Sequence, residues 1–359
     1  MPPLAIPDII QMRDAFVEEM KLAAKGQKTS IPFIKQRIAE HPAVAEGETF
    51  QVLIIGGSVY KWSLAQRSGS TVSFDDQTQG ALPAFNDRTT FLNFILGLIS
   101  PEVSSVAMNI AYALTPTFRN GLMDGVLLWG SKEHSFTGLI GVDIGKAIED
   151  HAAAAGRTIR VAVANDTICL LLSGRDEYPW NAFACGIAGT GLNFALFSDP
   201  VTAVNLQSGE FDKLELTPEA TELDSQSQVP GSALLEKETA GAYLFRKYQI
   251  GLKQRGIEAP AINSTAELDG IAADESHPGS ALAREILEYS AALVAMQASA
   301  LAEFQGGNLT VRVAGGLFWN GYGYRETAER VVRQLSPQRQ IRFVGSELAE
   351  RVGTAKLVS

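Results

Sequence analysis

A strand-like run that breaks at a glycine turn and resumes as a second strand occurs twice in this 359-residue chain. Residues 50–55 lead into Gly56-Gly57-Ser58 and on to 59–64; residues 183–188 lead into Gly189-Thr190-Gly191 and on to 193–197. Apolar, β-favouring runs bounded by turn glycines read as hairpins. Two such hairpins in two halves of one chain point to an internally duplicated fold with one site between the halves. Neither turn matches GxxxxGK[ST], and neither opens a helix as a dinucleotide fingerprint does, so both of those folds are disfavoured.

The intervening pattern mixes helices and strands. Ile10, Met12, Phe16, Met20 and Leu22, interleaved with charges, predict an amphipathic helix over 9–24 that stops at Gly26. A short helical stretch is expected around 33–38, a strand at 70–74, a helix at 89–98 and buried strands at 106–113 and 158–164. Residues 234–248, 280–304 and 324–335 read as helices, 310–318 as a strand around Gly315-Gly316, and 341–344 as a last strand. The segment 206–228, rich in Glu, Asp, Ser, Gln and Thr, reads as an exposed loop. The fold class is α/β with mixed sheets.

Composition removes several functions. Apolar residues make up 46% and charged residues 19%, enough for a substantial core. A formal charge of −10 without a cluster of Lys and Arg argues against nucleic-acid binding. Cys169 and Cys185 lie in apolar runs without CxxC or Cys/His spacing, which predicts buried structural thiols in a reducing, cytoplasmic setting. His41, His134, His151 and His277 are scattered, so no metal site is expected. Residues 1–20 lack the basic segment and apolar core of a signal peptide and read as a helix. The apolar stretch 280–304 carries Arg284, Glu285, Glu288 and Glu303, which suits a buried helix and not a membrane span. Trp129 reads as a core residue. Nothing in the sequence marks an oligomeric state.

Asn165-Asp166-Thr167 sits where the strand 158–164 gives way to the short apolar stretch 168–172. An acid delivered by a buried strand onto a helix start is rigidly held, and the helix dipole favours its ionised form. Two roles are open to Asp166: a base that takes a hydroxyl proton during phosphoryl transfer, or a plain helix cap. The glycine turns are equally double-edged. Each serves as a hairpin, and the pair, with the hydroxyls of Ser58 and Thr190, suits a polyphosphate approached by backbone N–H groups.

These segments, in this order, resemble the hexokinase family. MRDAFVEEMKLAAKGQ is similar to its N-terminal helix, LIIGGSVYKWSL to its first phosphate motif, and VLLWGSKEHSFTGLIGVDIGKAIEDH to its sugar-binding segment and following helix. VAVANDT matches the catalytic strand, GIAGTGLNFALF the second phosphate motif, VPGSALLEKETAGAYLFRKY the helix that presents a sugar-binding glutamate, and RQLSPQRQIRFVGSE with GTAKLVS the C-terminal strand and helix. The resemblance implies a two-lobed actin-like (ribonuclease H-like) sugar kinase fold with mixed sheets and an interlobe cleft. Residues 50–164 would form the small lobe, with 346–359 packed on it, and 1–49 with 165–345 the large lobe. It further implies Asp166 as the base at the 6-hydroxyl of a hexose. Sugar contacts would come from Ser131, Lys132, Asn165, Asn193, Gln207 and Glu236, and nucleotide contacts from Gly56, Gly57, Ser58, Thr190, Gly191 and Gly315, with ATP and Mg2+ as donor and cofactor.

Departures from the family cluster on the nucleotide side. Ile54 stands where the family has the Asp that helps hold magnesium, and Gln207 where it has a sugar-binding Glu. The serine of its Ser-Phe-Pro loop falls on Leu114, beside Thr115. Ala314-Gly315-Gly316 replaces Asp-Gly-Ser, Ala349-Glu350-Arg351 replaces a late Gly-Ser-Gly, and the chain is shorter between 252 and 312. The expected function is therefore a hexose kinase using ATP. The alternatives are a weak or inactive hexokinase-like sugar-binding regulator and a kinase with another phosphoryl donor.

Overall fold

In the computed structural model, which describes residues 6–128 and 135–359, the first glycine hairpin is built as its apolar runs and glycine turn predict. Chain order begins α1 (Ile6–Ala24), β1 (Ile34–Arg37), β2 (Thr49–Ile55), β3 (Val59–Ser68), β4 (Thr71–Phe74), β5 (Thr78–Ala81), α2 (Arg88–Leu98), β6 (Ser105–Ile110), β7 (Leu114–Arg119), β8 (Leu122–Leu127), α3 (Ile144–Ala154), β9 (Arg160–Asn165) and α4 (Asp166–Leu172). It continues with β10 (Phe183–Ala188), β11 (Leu192–Asp199), β12 (Thr202–Asn205), α5 (Pro218–Ser225), α6 (Leu234–Thr239), α7 (Gly241–Arg255), α8 (Thr265–Ala273), α9 (Ser280–Gln305), β13 (Leu309–Ala314), α10 (Gly316–Asn320), α11 (Tyr324–Leu335), β14 (Ile341–Val344) and α12 (Ala349–Ala355). The chain divides into two compact units. The first comprises Met1–Phe33, Asn181–Leu196 and Asn205–Gly345; the second comprises Ile34–Trp180, Phe197–Val204 and Ser346–Ser359.

The second unit is organised by a mixed sheet in the order β4-β3-β2-β6-β9, with β5 also on β3. β2, β6 and β9 run parallel, in register such that Ile55, Ile110 and Asn165 lie side by side. Period-2 alternation sends Leu53, Ile55, Val106, Met108, Val161 and Val163 to one face, where they form a core with Phe91 and Ile95 of α2 and Ile144 and Ile148 of α3. The opposite face carries small residues, Ala107, Ala162 and Ala164, all buried, and is covered by α4 and α12. These two helices meet so closely that a Cβ on Gly353 would overlap the Cys169 carbonyl. The β7–β8 hairpin turns through Asn120 and Gly121, both at positive φ, and pairs Arg119 with Leu122. It is tied to α3 by the fully buried Asp124, which accepts from Gly145 N (2.8 Å), Lys146 N (3.0 Å) and Arg119 Nε (3.2 Å).

In the first unit, β10 pairs antiparallel with β11 and parallel with β13, and β13 pairs parallel with β14. α9, buried along most of its length, is the apolar stretch expected at 280–304. No helix among the described residues is long and apolar enough to cross a membrane. Cys169 and Cys185 are both buried.

Four local expectations are corrected. Residues 34–37 form a strand and not a helix, because Phe33 is left-handed (φ 51°) and stops any helix there. The segment 206–228 is not an exposed loop. Its Leu206, Phe211, Glu219, Ala220 and Leu223 are buried, and Thr217 caps a helix, α5, by accepting from Ala220 N. Residues 234–248 form two helices, broken at the extended Ala240. The strand expected over 310–318 ends at Ala314, since Gly315 (φ 120°) turns the chain into α10.

Candidate functional site

Asp166 is the first residue of α4, and β9 delivers it to the carboxyl edge of the second unit's sheet. The capping role belongs to its neighbour: Asn165 is the N-cap, accepting from Thr167 N at 3.0 Å, while its Nδ2 donates to Tyr112 O at 3.4 Å. Asp166 Oδ1 accepts from Thr167 N (2.7 Å) and Thr167 Oγ1 (3.2 Å), which fixes the carboxylate at the positive end of the helix. Behind it, burial pushes the Cys169 thiol up, a hydrogen bond to Thr354 opposes that, and the carboxylates of Asp166 and Glu350 add to it. Cys169 is thus an inert packing residue. Burial likewise pushes the Tyr112 phenol up to about 12.

The first glycine turn opens at the same sheet edge. Gly56 N donates to Val59 O at 2.9 Å, closing a tight turn over Gly57 and Ser58, and Leu82 N donates to Ser58 O at 2.9 Å. A Cβ at Gly56 would stand 2.9 Å from Val59 O, so the closure requires glycine. With β6 between β2 and β9, this turn and Asp166 start from strand ends about 10 Å apart, two strand spacings. Ile54 is buried on β2, opposite Lys61 of β3. Lys61 Nζ pairs at 2.6 Å with Glu350 of α12, so this acid is charge-compensated. Leu114 and Thr115 open β7, against Leu127 and Val126.

The first unit gathers the other polar residues around the second glycine turn. Gly189-Thr190-Gly191 links Ala188 to its partner Leu192. Gly189 lies so close to Gly315 that a Cβ on it would be 3.2 Å from the Gly315 Cα, and the carbonyls of Gly189 and Thr190 accept from Gly241 N (2.8 Å) and Ala242 N (3.1 Å) at the start of α7. Three chain segments therefore meet at glycine backbone. Glu236 Oε1 accepts from Leu192 N at 3.2 Å. One residue on, Asn193 Nδ2 donates to Asn205 Oδ1 at 2.8 Å, and Asn193 Oδ1 accepts from Ser208 N at 3.3 Å. Gln207, half-buried and left-handed (φ 49°), donates its N–H to Asn205 Oδ1 at 3.1 Å.

Asn193, Gln207, Glu236, Thr190, Gly191 and Gly315 thus fall in the first unit, and Asp166, Asn165, Gly56, Gly57 and Ser58 in the second. Ser131 and Lys132, with Trp129 and His134, lie outside the described residues. Sequence reasoning missed Asn205, whose carboxamide orients both Asn193 and the Gln207 backbone. The signal was present in the Asn-Leu-Gln spacing of 205–207.

No family model matches the chain. It is 24% identical over 281 residues to hexokinase-1 of Saccharomyces cerevisiae, spanning 67% of this chain and 58% of that protein. A shorter segment of 147 residues is 31% identical to hexokinase-1 of Arabidopsis thaliana, 36% of this chain and 29% of that one. The chain spans little more than half the length of the curated fungal relatives it matches. Its fold is that of a glucose-complexed hexokinase from Schistosoma mansoni, with a TM-score of 0.81 at 18% identity over 99% of this chain and 96% of the other. The ROK hexokinase from Thermus thermophilus shares it more distantly, at TM-score 0.56 and 17% identity over 86% and 97%.

Proposed function

We propose that this chain, a divergent member of the hexokinase family, is a hexose kinase that moves the γ-phosphoryl group of ATP to the 6-hydroxyl of glucose or a closely similar hexose. Asp166 is the residue on which this rests: an acid on the first turn of a helix, at the carboxyl end of the parallel strands of a mixed sheet, held by Thr167 while Asn165 does the capping. In the proposed reaction the hexose hydroxyl oxygen attacks phosphorus and its proton passes to the Asp166 carboxylate. The bond from the γ-phosphorus to the bridging oxygen of ADP breaks as the new one forms. Because such transition states are loose, the carboxylate acts chiefly by orienting the attacking oxygen.

A polyol needs many partners, since each buried hydroxyl left unpaired costs about 1–3 kcal/mol. Asn193, Asn205, Gln207 and Glu236 offer three carboxamides and one carboxylate: Asn205 Oδ1 accepts from Asn193 Nδ2 and the Gln207 backbone, and Glu236 accepts from the backbone N–H of Leu192. In this proposal they read the sugar ring together with Asn165, Ser131 and Lys132, and backbone N–H groups at Gly56, Gly57, Ser58, Thr190, Gly191 and Gly315 take the phosphates. At position 54 a buried isoleucine offers no ligand to a protein-held Mg2+, which in this proposal enters with ATP as part of the donor.

The test is purified protein with glucose and Mg-ATP, followed for hexose 6-phosphate by coupled oxidation. Formation of the product, lost in Asp166→Ala, is the expected result. Glucose-induced change in tryptophan fluorescence without turnover on ATP, ADP or polyphosphate would overturn it in favour of a sugar-binding regulator.

A further inference from the structure

Helix α6, which carries Glu236, is six residues long and has no side-chain cap at its start, where Ala233 is left-handed (φ 49°). A helix this short does not persist by itself. The three residues after Glu236 turn inward, Lys237, Glu238 and Thr239 being 3%, 0% and 1% exposed, and each is tied to a different element. Lys237 Nζ donates to Asp224 Oδ1 of α5 (2.5 Å) and, just beyond that helix, to Ser227 Oγ (3.0 Å) and Val229 O (3.2 Å). The Glu238 carboxylate accepts from Thr217 N (2.6 Å) and Thr217 Oγ1 (3.3 Å) and forms an ion pair with Lys247 of α7. Thr239 O accepts from Ser290 Oγ of α9 at 2.8 Å, and that hydroxyl bonds Tyr324 Oη of α11 at 2.6 Å.

The Lys247–Glu238 pair has no solvent exposure on either side chain. Stability does not require such a pair, because neutral residues of the same volume usually serve as well. What it adds is register. Lys247 Nζ bonds both the carboxylate and, at 3.2 Å, the carbonyl of Glu238, so α6 is held against sliding and rotation at once. Two residues earlier, Glu236 packs against glycine backbone: a Cβ added at Gly191 would stand 3.2 Å from its Oε1, and one at Gly209 2.9 Å from its Cβ.

We propose that Lys247, through its buried pair with Glu238, is a positioning residue that sets the register of α6 and so the aim of the Glu236 carboxylate at the hexose, an inference that rests on the sugar-binding role proposed for Glu236. The pair selects hexose affinity and leaves the phosphoryl donor untouched. The test compares wild type, Glu238→Gln/Lys247→Met and Glu236→Ala by glucose calorimetry, by KM and kcat, and by thermal melting. Gln keeps an acceptor for Thr217, and Met keeps the length of the lysine stem. Expected for the double variant are a melting temperature within a few degrees of wild type, glucose affinity at least tenfold weaker, a matching rise in KM for glucose, and KM for ATP and kcat within threefold. A folded double variant that binds glucose like wild type would overturn the positioning role when Glu236→Ala binds poorly. Should Glu236→Ala bind glucose normally, the assignment of Glu236 fails instead, and the positioning role with it. If the double variant does not fold, Ser290→Ala, which frees the same helix at Thr239, carries the test: weaker glucose binding with kcat unchanged supports the inference, and unchanged affinity overturns it.

Discussion

Gly353→Ala should be among the most damaging single-methyl additions in this protein. The new Cβ would sit 2.6 Å from the Cys169 carbonyl carbon and 3.1 Å from Ser173 N, and more than an ångström inside contact with the Cys169 oxygen. The obstacle is helix backbone, so no side chain can swing aside. α12 and α4 must part, and the small-residue face formed by Ala107, Ala162 and Ala164 loses its close cover. Overpacking of a rigid core costs roughly 1–3 kcal/mol, and a clash with backbone belongs at or above the top of that range. At about 3 kcal/mol, a unit of this size loses roughly 6–12 °C of melting temperature. Gly97→Ala is the control: it lies in α2 of the same unit, a Cβ there meets no atom within 4 Å, and a helical Gly→Ala change gains about 0.5–1 kcal/mol. Calorimetry of both variants, with kcat measured well below the transition, checks the pair. A Gly353→Ala protein within 1 kcal/mol of wild type would refute the packing argument, and with it the claim that α12 buttresses the helix holding Asp166.

Other perturbations read different parts of the account. Asn205→Ala removes the acceptor shared by Asn193 Nδ2 and Gln207 N, and should weaken hexose binding by about 1–2 kcal/mol, or 5- to 30-fold, as measured by glucose titration. At Asp224, desolvation pushes the carboxyl up, but the hydrogen bond from the Lys237 ammonium, the Gly231 N–H and the lysine charge outweigh it and hold the pKa below the ordinary 3.8. A depressed acid stabilises the fold above its unfolded value and loses that contribution as pH falls through the folded one. Acid melts should therefore show a loss beginning near pH 4 in wild type that is smaller in Asp224→Asn; equal slopes would contradict this. Ile54→Asp introduces a carboxylate opposite Lys61, and raises turnover with Mg-ATP if orientation of the donor's metal limits the rate; an unchanged or lower rate removes that explanation.

Much of the architecture was legible because it is set locally. The hairpin around Gly56 follows from two apolar, β-favouring runs flanking a glycine turn, and α9 from a long apolar run interrupted by charges. The β7–β8 hairpin had a local signal as well, the Asn120-Gly121 dipeptide, which favours a two-residue turn and went unread. The break between α6 and α7 had none. The N–H groups that open α7 are satisfied by the carbonyls of Gly189 and Thr190, some fifty positions earlier in the chain, and α6 is held by Thr217, Lys247 and Ser290. A composition that looked solvent-exposed over 206–228 misled for a related reason: Glu219 is buried near Arg255, a partner that linear sequence does not bring near. On the site, the strand-to-helix position singled out Asp166 but left base and cap open, and its expected role as base came from the family resemblance. The capping role of Asn165 and the orienting role of Asn205 depend on hydrogen bonds that only the folded chain displays.

The most direct test of the central claim is kcat for Asp166→Asn at saturating glucose and Mg-ATP, beside the glucose affinity of the same variant. Asparagine keeps the shape and the Thr167 hydrogen bonds but cannot take the hydroxyl proton. The account predicts a fall in kcat of about 10²- to 10⁴-fold with glucose affinity within a few-fold of wild type. A variant that turns over like wild type would show that Asp166 is not the base.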